Sequence, residues 1–353
     1  MDRRDAVTGR GEDNALLARG VAEMIAASPF WPHPLLRGGH TQTLAGWSWP
    51  RGFRARPPDE ARLFEVEPGV RLLARCRWHA DRAARATVVL VHGLGGSADA
   101  PYVLGAARLA YRMGVNVVRL NQRNCGGTEH LTPTLYHSGM SGDLAAVVRE
   151  LAGQDGLSRL FVAGFSMGGN LALKMVGEMG EAAPSVLRGV CAVSPALDLR
   201  AITENLELPS NRPYQLTFVR GLRRLVERKA ELYPKLYDKR GLERLRTVRD
   251  FDELYTAPHG GFVGAEDYYE RASALRLVPR IRVPTLMIHS QDDPLVPFAP
   301  LRRAEVSASP SVVAATPLHG GHVAFVSAEK GERFWAEERL ADFCHRLSDD
   351  PTP

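Results

Sequence analysis

Cysteine is scarce: Cys76, Cys125, Cys191 and Cys344 are the only four in 353 residues, and no two form a Cys-x-x-Cys pair. That spacing supplies neither a zinc ribbon nor a disulfide framework, so a reducing compartment, the cytoplasm, is the expected setting. Long apolar runs are missing too, and none reaches the roughly eighteen residues that a bilayer-spanning helix needs. Residues 1–14 are polar and charged, with no apolar stretch behind a basic start, so no secretory signal is expected. Zinc-finger spacing, aromatic-rich RNA motifs, internal repeats and low-complexity tracts are all absent. With 44% hydrophobic and 24% charged residues, the composition excludes a disordered chain and leaves an ordinary globular one.

Charge is present but unevenly placed. The formal net charge is +5. Between Arg220 and Asp250 stand eleven Lys or Arg against five Asp or Glu, a local +6, so the remainder sums to −1. A chain that is basic in one segment is not shaped to track a nucleic acid, and no such partner is expected. The segment reads first as a solvated, salt-bridged helix face. Peripheral contact with an anionic membrane, or with an anionic substrate, is the alternative.

Strand and helix patterns divide the chain. Residues 1–60 form an irregular leader rich in Pro, Gly and Trp, whose apolar part from Phe30 to Leu44 is expected to pack on the main domain. A hairpin follows, Arg62–Val66 and Val70–Trp78 about Pro68-Gly69. From Ala86, β-branched runs alternate with helical stretches: Thr87–Val91, Asn116–Leu120, Arg159–Gly164 and Gly189–Val193 as strands, Tyr102–Met113, Asp143–Leu151 and Met167–Met179 as helices. Such alternation predicts an α/β fold, a mostly parallel sheet covered by helices on both faces. The core (61–197) is interrupted by a helical insert (198–280) with no convincing strand. It resumes over 281–347 with strands Thr285–His289 and Val312–Ala315, a helix near Ala299–Val306 and a final helix from about Lys330. Residues 348–353 are a tail. An insert between two sheet strands is how a lid is carried.

The segment Gly164-Phe165-Ser166-Met167-Gly168 joins a buried strand directly to a helix. This is the pattern of a nucleophile elbow, which lifts one serine hydroxyl above the sheet at a helix N-terminus. A serine nucleophile needs a base to take its proton and a carboxylate to orient that base. Downstream, Asp292-Asp293-Pro294 follows one strand and His319-Gly320-Gly321-His322 follows the last. His322 is preferred to His319 because a glycine pair presents it and an apolar stretch follows it. Asp293 heads the proline-fixed turn and is preferred to Asp292, with Asp198 the more distant alternative. His319-x-x-His322 lacks a third ligand for a metal pair, and no metal or cofactor is expected.

An oxyanion requires two backbone donors. Met167, the residue after the nucleophile, supplies one, and the glycine-rich loop His92-Gly93-Leu94-Gly95-Gly96-Ser97 supplies the other through Leu94. His92 itself reads as a structural hydrogen-bonding residue, and Cys125, in a second glycine-rich loop, as a small residue at a tight site.

Together these loops resemble the YheT-like branch of the α/β-hydrolase-fold esterases, a likeness that runs from about Phe30 to Leu347. It rests on His92–Ser97, Arg123-Asn124-Cys125-Gly126-Gly127-Thr128, Leu135–Gly139 through Asp143-Leu144, Gly164–Asn170, His319–His322 and the leader motif Gly38-Gly39-His40-Thr41-Gln42-Thr43-Leu44. The resemblance implies an α/β-hydrolase fold with a helical lid, and it maps the family triad onto Ser166, Asp293 and His322. It also implies carboxylic-ester hydrolysis through an acyl-enzyme, on short- to medium-chain acyl esters. Acyl transfer from the same intermediate and phospholipase activity are the alternatives. A non-catalytic binding protein on this scaffold is disfavoured by the intact triad. The leader motif has no role that the residues alone suggest.

Overall fold

A computed structural model of the chain describes residues 16–49, 51, 59–307, 309–329 and 331–348. Its centre is one eight-stranded sheet. The hairpin β1 (Glu60–Glu67) and β2 (Val70–Arg77) turns at Gly69, whose φ of 76° suits glycine. The remaining strands are β3 (Thr87–Val91), β4 (Asn116–Leu120), β5 (Leu160–Phe165), β6 (Leu187–Val193), β7 (Thr285–Ile288) and β8 (Val312–Ala315). They lie in the order β1-β2-β4-β3-β5-β6-β7-β8, antiparallel as far as β4 and parallel beyond it.

Side-chain alternation in the strands builds two cores. Val88, Leu90, Phe161 and Ala163 face α1 (16–27), α3 (Pro101–Arg112) and α9 (Trp335–Arg346). Val89, Val91, Val162 and Val190 face α4 (Ser141–Gly153) and α5 (Met167–Met179). Because both faces are covered there, β3, β5 and β7 are buried along their length and read as nearly continuous apolar runs.

The insert between β6 and β7 is helical, with α6 (Leu199–Leu206), α7 (Arg212–Leu232) and α8 (Ala265–Ala272) as its longer elements. On α7, Val219, Leu222, Val226 and Ala230 recur at helical spacing and face inward, while Arg220, Arg224 and Arg228 are exposed and Arg223 donates to the Leu245 carbonyl. This apolar stripe packs on Leu295 and Val296, just beyond Asp293, so the insert roofs the C-terminal ends of the strands.

Three local expectations need correction. The leader is not irregular throughout: α1 covers 16–27 and α2 spans Gly39–Ser48. The helix expected near Ala299–Val306 is split into a 3₁₀ turn (Ala299–Arg302) and one α-turn (Ala304–Ser307), because Arg303 between them is extended. The final helix begins at Trp335 rather than near Lys330, since Phe334 first pairs with Val326 in an antiparallel bridge.

Candidate active site

Ser166 sits between β5 and α5 with φ 55° and ψ −117°, a region that non-glycine residues rarely occupy. The turn is possible because its flanks are glycine. A Cβ on Gly164 would lie 2.1 Å from the Gly168 carbonyl oxygen, and one on Gly168 would lie 2.5 Å from that of Val91. The strained backbone is held from both sides: the Ser166 N–H donates to Val193 (2.9 Å), and the Ser166 carbonyl accepts from Asn170 and Ala196 (both 3.1 Å). Asn170 then anchors α5, its amide donating to the Ser138 and Ala272 carbonyls and accepting from the Ala274 N–H.

The side chain of Asp293 is fully buried. One carboxylate oxygen accepts the Leu295 and Val296 N–H groups, both at 2.9 Å, and the other lies 2.8 Å from His322 Nδ1. Burial pushes this carboxyl up, but the charge and hydrogen bond of His322, the nearby His289 and the Val296 N–H outweigh it and hold it below its ordinary value. An ionised partner at that distance assigns the proton to Nδ1 and leaves Nε2 of His322 as the free acceptor. Asp292 instead contacts His319 Nδ1 (3.2 Å) and accepts the Gly321 N–H (3.0 Å). Asp198 caps α6, accepting the Ala201 N–H at 3.2 Å. Among the described residues no cluster of three or more His, Cys, Asp or Glu is placed to hold a metal.

Met167 is the first residue of α5, so its N–H is among those that have no intrahelical acceptor. In the loop after β3, the Gly93 N–H donates to the Tyr102 hydroxyl (3.1 Å), the Gly95 N–H to the Tyr136 hydroxyl (3.0 Å) and the Gly96 N–H to the Gly93 carbonyl (3.1 Å). Among the described residues from Gly93 to Gly96, the Leu94 N–H is the one left without an acceptor. His92 is buried and neutral, its value pushed down to about 4 by desolvation. It donates from Nδ1 to the Gly93 carbonyl (2.8 Å) and accepts the Gln122 N–H at Nε2 (3.2 Å). Cys125 is buried beside Tyr136, and burial raises its thiol to about 12, far from a reactive thiolate.

Ser166, Met167, Leu94 and His322 line one cavity, roofed by the insert. Its remaining wall is largely apolar, from Leu199, Ile202, Phe218, Leu222 and Phe251. Asp252 is the one carboxylate among its lining residues. It is buried in a π-helical turn and accepts from Thr256 and Tyr269, and desolvation raises it to about 7. A second opening reaches Ser166 and His322 between α2 and α7.

Tyr102 and Tyr136 were not singled out as site residues from the sequence. Tyr136 lies within the Leu135–Gly139 motif, which is a signal for it in the sequence; nothing local marks Tyr102, whose hydroxyl arrives through the fold. Arg123 and Asp143, also from those motifs, form a buried bidentate pair (2.7 and 2.6 Å) beneath the second glycine loop.

Residues 86–328 match the family model for the alpha/beta hydrolase fold. The Escherichia coli K12 protein named "Putative esterase YheT" is 32% identical over 327 residues, covering 91% of this chain and 94% of its own. A monoacylglycerol lipase of Saccharomyces cerevisiae is 29% identical over 262 residues, 72% of this chain and 58% of the yeast protein. Among solved structures, the Pyrococcus furiosus esterase Pf2001 superposes with a TM-score of 0.53 at 19% identity, over 85% of this chain and 99% of that one, a likeness of fold. The chain belongs to the α/β-hydrolase family, in its YheT-like branch of esterases.

Proposed function

We propose that the protein is a serine carboxylic-ester hydrolase working through an acyl-enzyme, with Ser166 as nucleophile, His322 as base and Asp293 as its orienting acid. The observation that carries this reading is the 2.8 Å contact of His322 Nδ1 with a buried Asp293, on the cavity that Ser166 also lines. His322 Nε2 takes the hydroxyl proton as Ser166 Oγ attacks the ester carbonyl. The Leu94 and Met167 N–H groups receive the oxyanion, and His322 returns the proton to the departing alcohol. Water then attacks the acyl-enzyme, with His322 again as base. Met167 at the N-terminus of α5 adds the favourable end of a helix dipole where the negative charge develops.

The apolar wall supports an acyl chain as the buried part of the substrate, and short- to medium-chain esters are the proposed class. Monoacylglycerols enter as an alternative through the yeast relative, and lysophospholipids through the basic insert. In that insert, Arg228, Lys239, Arg240 and Arg249 are paired with carboxylates, while Arg223 and Lys229 donate to backbone carbonyls. These pairings favour a solvated, salt-bridged face over membrane docking. Binding to phosphatidylserine vesicles that weakens with salt would reverse that preference.

Ser166→Ala is expected to abolish p-nitrophenol release from short acyl esters while the chain stays folded. Full turnover by the purified variant would remove Ser166 from its role. Acyl transfer in place of hydrolysis is separated by the product ratio with added acceptor alcohols, and chain preference by a profile from two to sixteen acyl carbons.

A further inference from the structure

The loop that carries His322 holds an unusual backbone. Gly320 (φ 151°), Gly321 (60°), Val323 (61°) and Phe325 (44°) all have positive φ, and for a β-branched Val or a bulky Phe this is strained. Such a loop persists only when its surroundings over-determine it. Here nearly every N–H is tied: Gly321 to Asp292 (3.0 Å), His322 to Thr43 Oγ1 (2.9 Å), Val323 to Ser194 Oγ (3.1 Å), Phe325 to the Gly320 carbonyl (2.9 Å) and Val326 to Gln42 Oε1 (2.7 Å).

Two of these five ties come from α2, the helix of the leader motif. Gln42 also donates back to the Val326 carbonyl (3.1 Å), and both Gln42 and Thr43 are buried. The Thr43 hydroxyl proton goes to the Gly39 carbonyl (2.7 Å), so the lone pair that meets the His322 N–H is fixed in direction. The fit is close because of two glycines. A Cβ on Gly39 would lie 1.8 Å from the Asp292 carbonyl oxygen, and one on Gly321 would lie 2.5 Å from that of Gly39. The same helix therefore abuts the loop of the acid and holds the loop of the base.

We propose that Thr43 is a positioning residue for the base: its hydroxyl fixes the His322 backbone so that the imidazole bridges Asp293 and Ser166. The proposal rests on the reading of His322 as the base. It assigns the leader motif a task in turnover rather than in substrate binding.

The test compares Thr43→Val, which keeps the shape and removes the hydroxyl, with Thr43→Ser, which keeps the hydroxyl, using p-nitrophenyl butyrate and separating kcat from KM. The expected result is a kcat lowered about 10- to 100-fold in Thr43→Val. KM should stay within about twofold, and Thr43→Ser should keep kcat within about threefold of the parent. A parental kcat in Thr43→Val overturns the proposal. So does an equal fall in both variants, which would point to the packing of the whole side chain rather than to its hydroxyl, and so does a change confined to KM. If Thr43→Val does not fold, Thr43→Ala against Thr43→Ser reads the same bond, with the same outcomes. His322→Ala in parallel separates two failures: turnover that survives it sinks the base assignment, whereas its loss beside a fully active Thr43→Val sinks only the role of Thr43.

Discussion

Two aspartate–histidine pairs stand one residue apart at the acid and three apart at the base, yet they occupy different worlds. Asp293 and His322 are 2.8 Å apart, with side chains 0% and 12% exposed, on the cavity that holds Ser166. Asp292 and His319 are 3.2 Å apart, 22% and 43% exposed, and His319 opens onto an outer groove beside Trp31 and Leu318. In the inner pair, both carboxylate oxygens are engaged in a dry setting, so the imidazole has one orientation. In the outer pair, solvent weakens the interaction to about 0–1 kcal/mol. The more useful bond of Asp292 goes to the Gly321 N–H, where it shapes the loop rather than a proton path. On the proposed mechanism, the inner pair does the chemistry and the outer pair shapes the loop.

Substitutions should reproduce that division in order. His322→Ala is expected to cost on the order of 10⁴–10⁶ in kcat, read in ester turnover. Asp293→Asn should cost about 10⁴, because the amide no longer imposes the Nδ1–H tautomer. Asp292→Ala leaves the Gly321 N–H unsatisfied, so roughly 1–2 kcal/mol of stability should go in urea melts. Its kcat should fall only about tenfold through loop displacement. His319→Ala should change kcat less than about fivefold. A loss in His319→Ala as large as that in His322→Ala would break the comparison.

Acid sharpens it further. Because the Asp293 carboxyl lies below its unfolded value of about 3.9, its ionised form contributes stability above that pH, and this is lost as pH falls through the lower folded value. The stability gap between the parent and Asp293→Asn should therefore be wide at pH 7 and shrink at pH 3, measured by urea midpoints. A gap that widens in acid would contradict the ionised acid.

The order of elements was legible because buried parallel strands announce themselves, and because Gly164 and Gly168 mark a strand-to-helix turn where a side chain has no room. The helix Gly39–Ser48 was not, for a physical reason. It opens with glycine, a poor helix former, and its buried positions are Gln42, Thr43 and Gly46, while Leu44 and Trp47 are exposed. A face that packs by hydrogen bonds and close backbone approach leaves no apolar periodicity to read. Nor could residue order separate Asp292 from Asp293 by contact: each meets a histidine, and only burial and partners distinguish them. The hydroxyls of Tyr102 and Tyr136, which take up the Gly93 and Gly95 N–H groups on either side of Leu94, come from 9 and 41 residues further along the chain.

The most direct test is the rate at which a fluorophosphonate probe labels Ser166 in the parent, in His322→Ala and in His319→Ala, because phosphonylation needs the activated hydroxyl but no natural substrate. Labelling lost in His322→Ala and retained in His319→Ala is the expected result. Labelling that survives in His322→Ala and fails in His319→Ala would move the base to the outer pair.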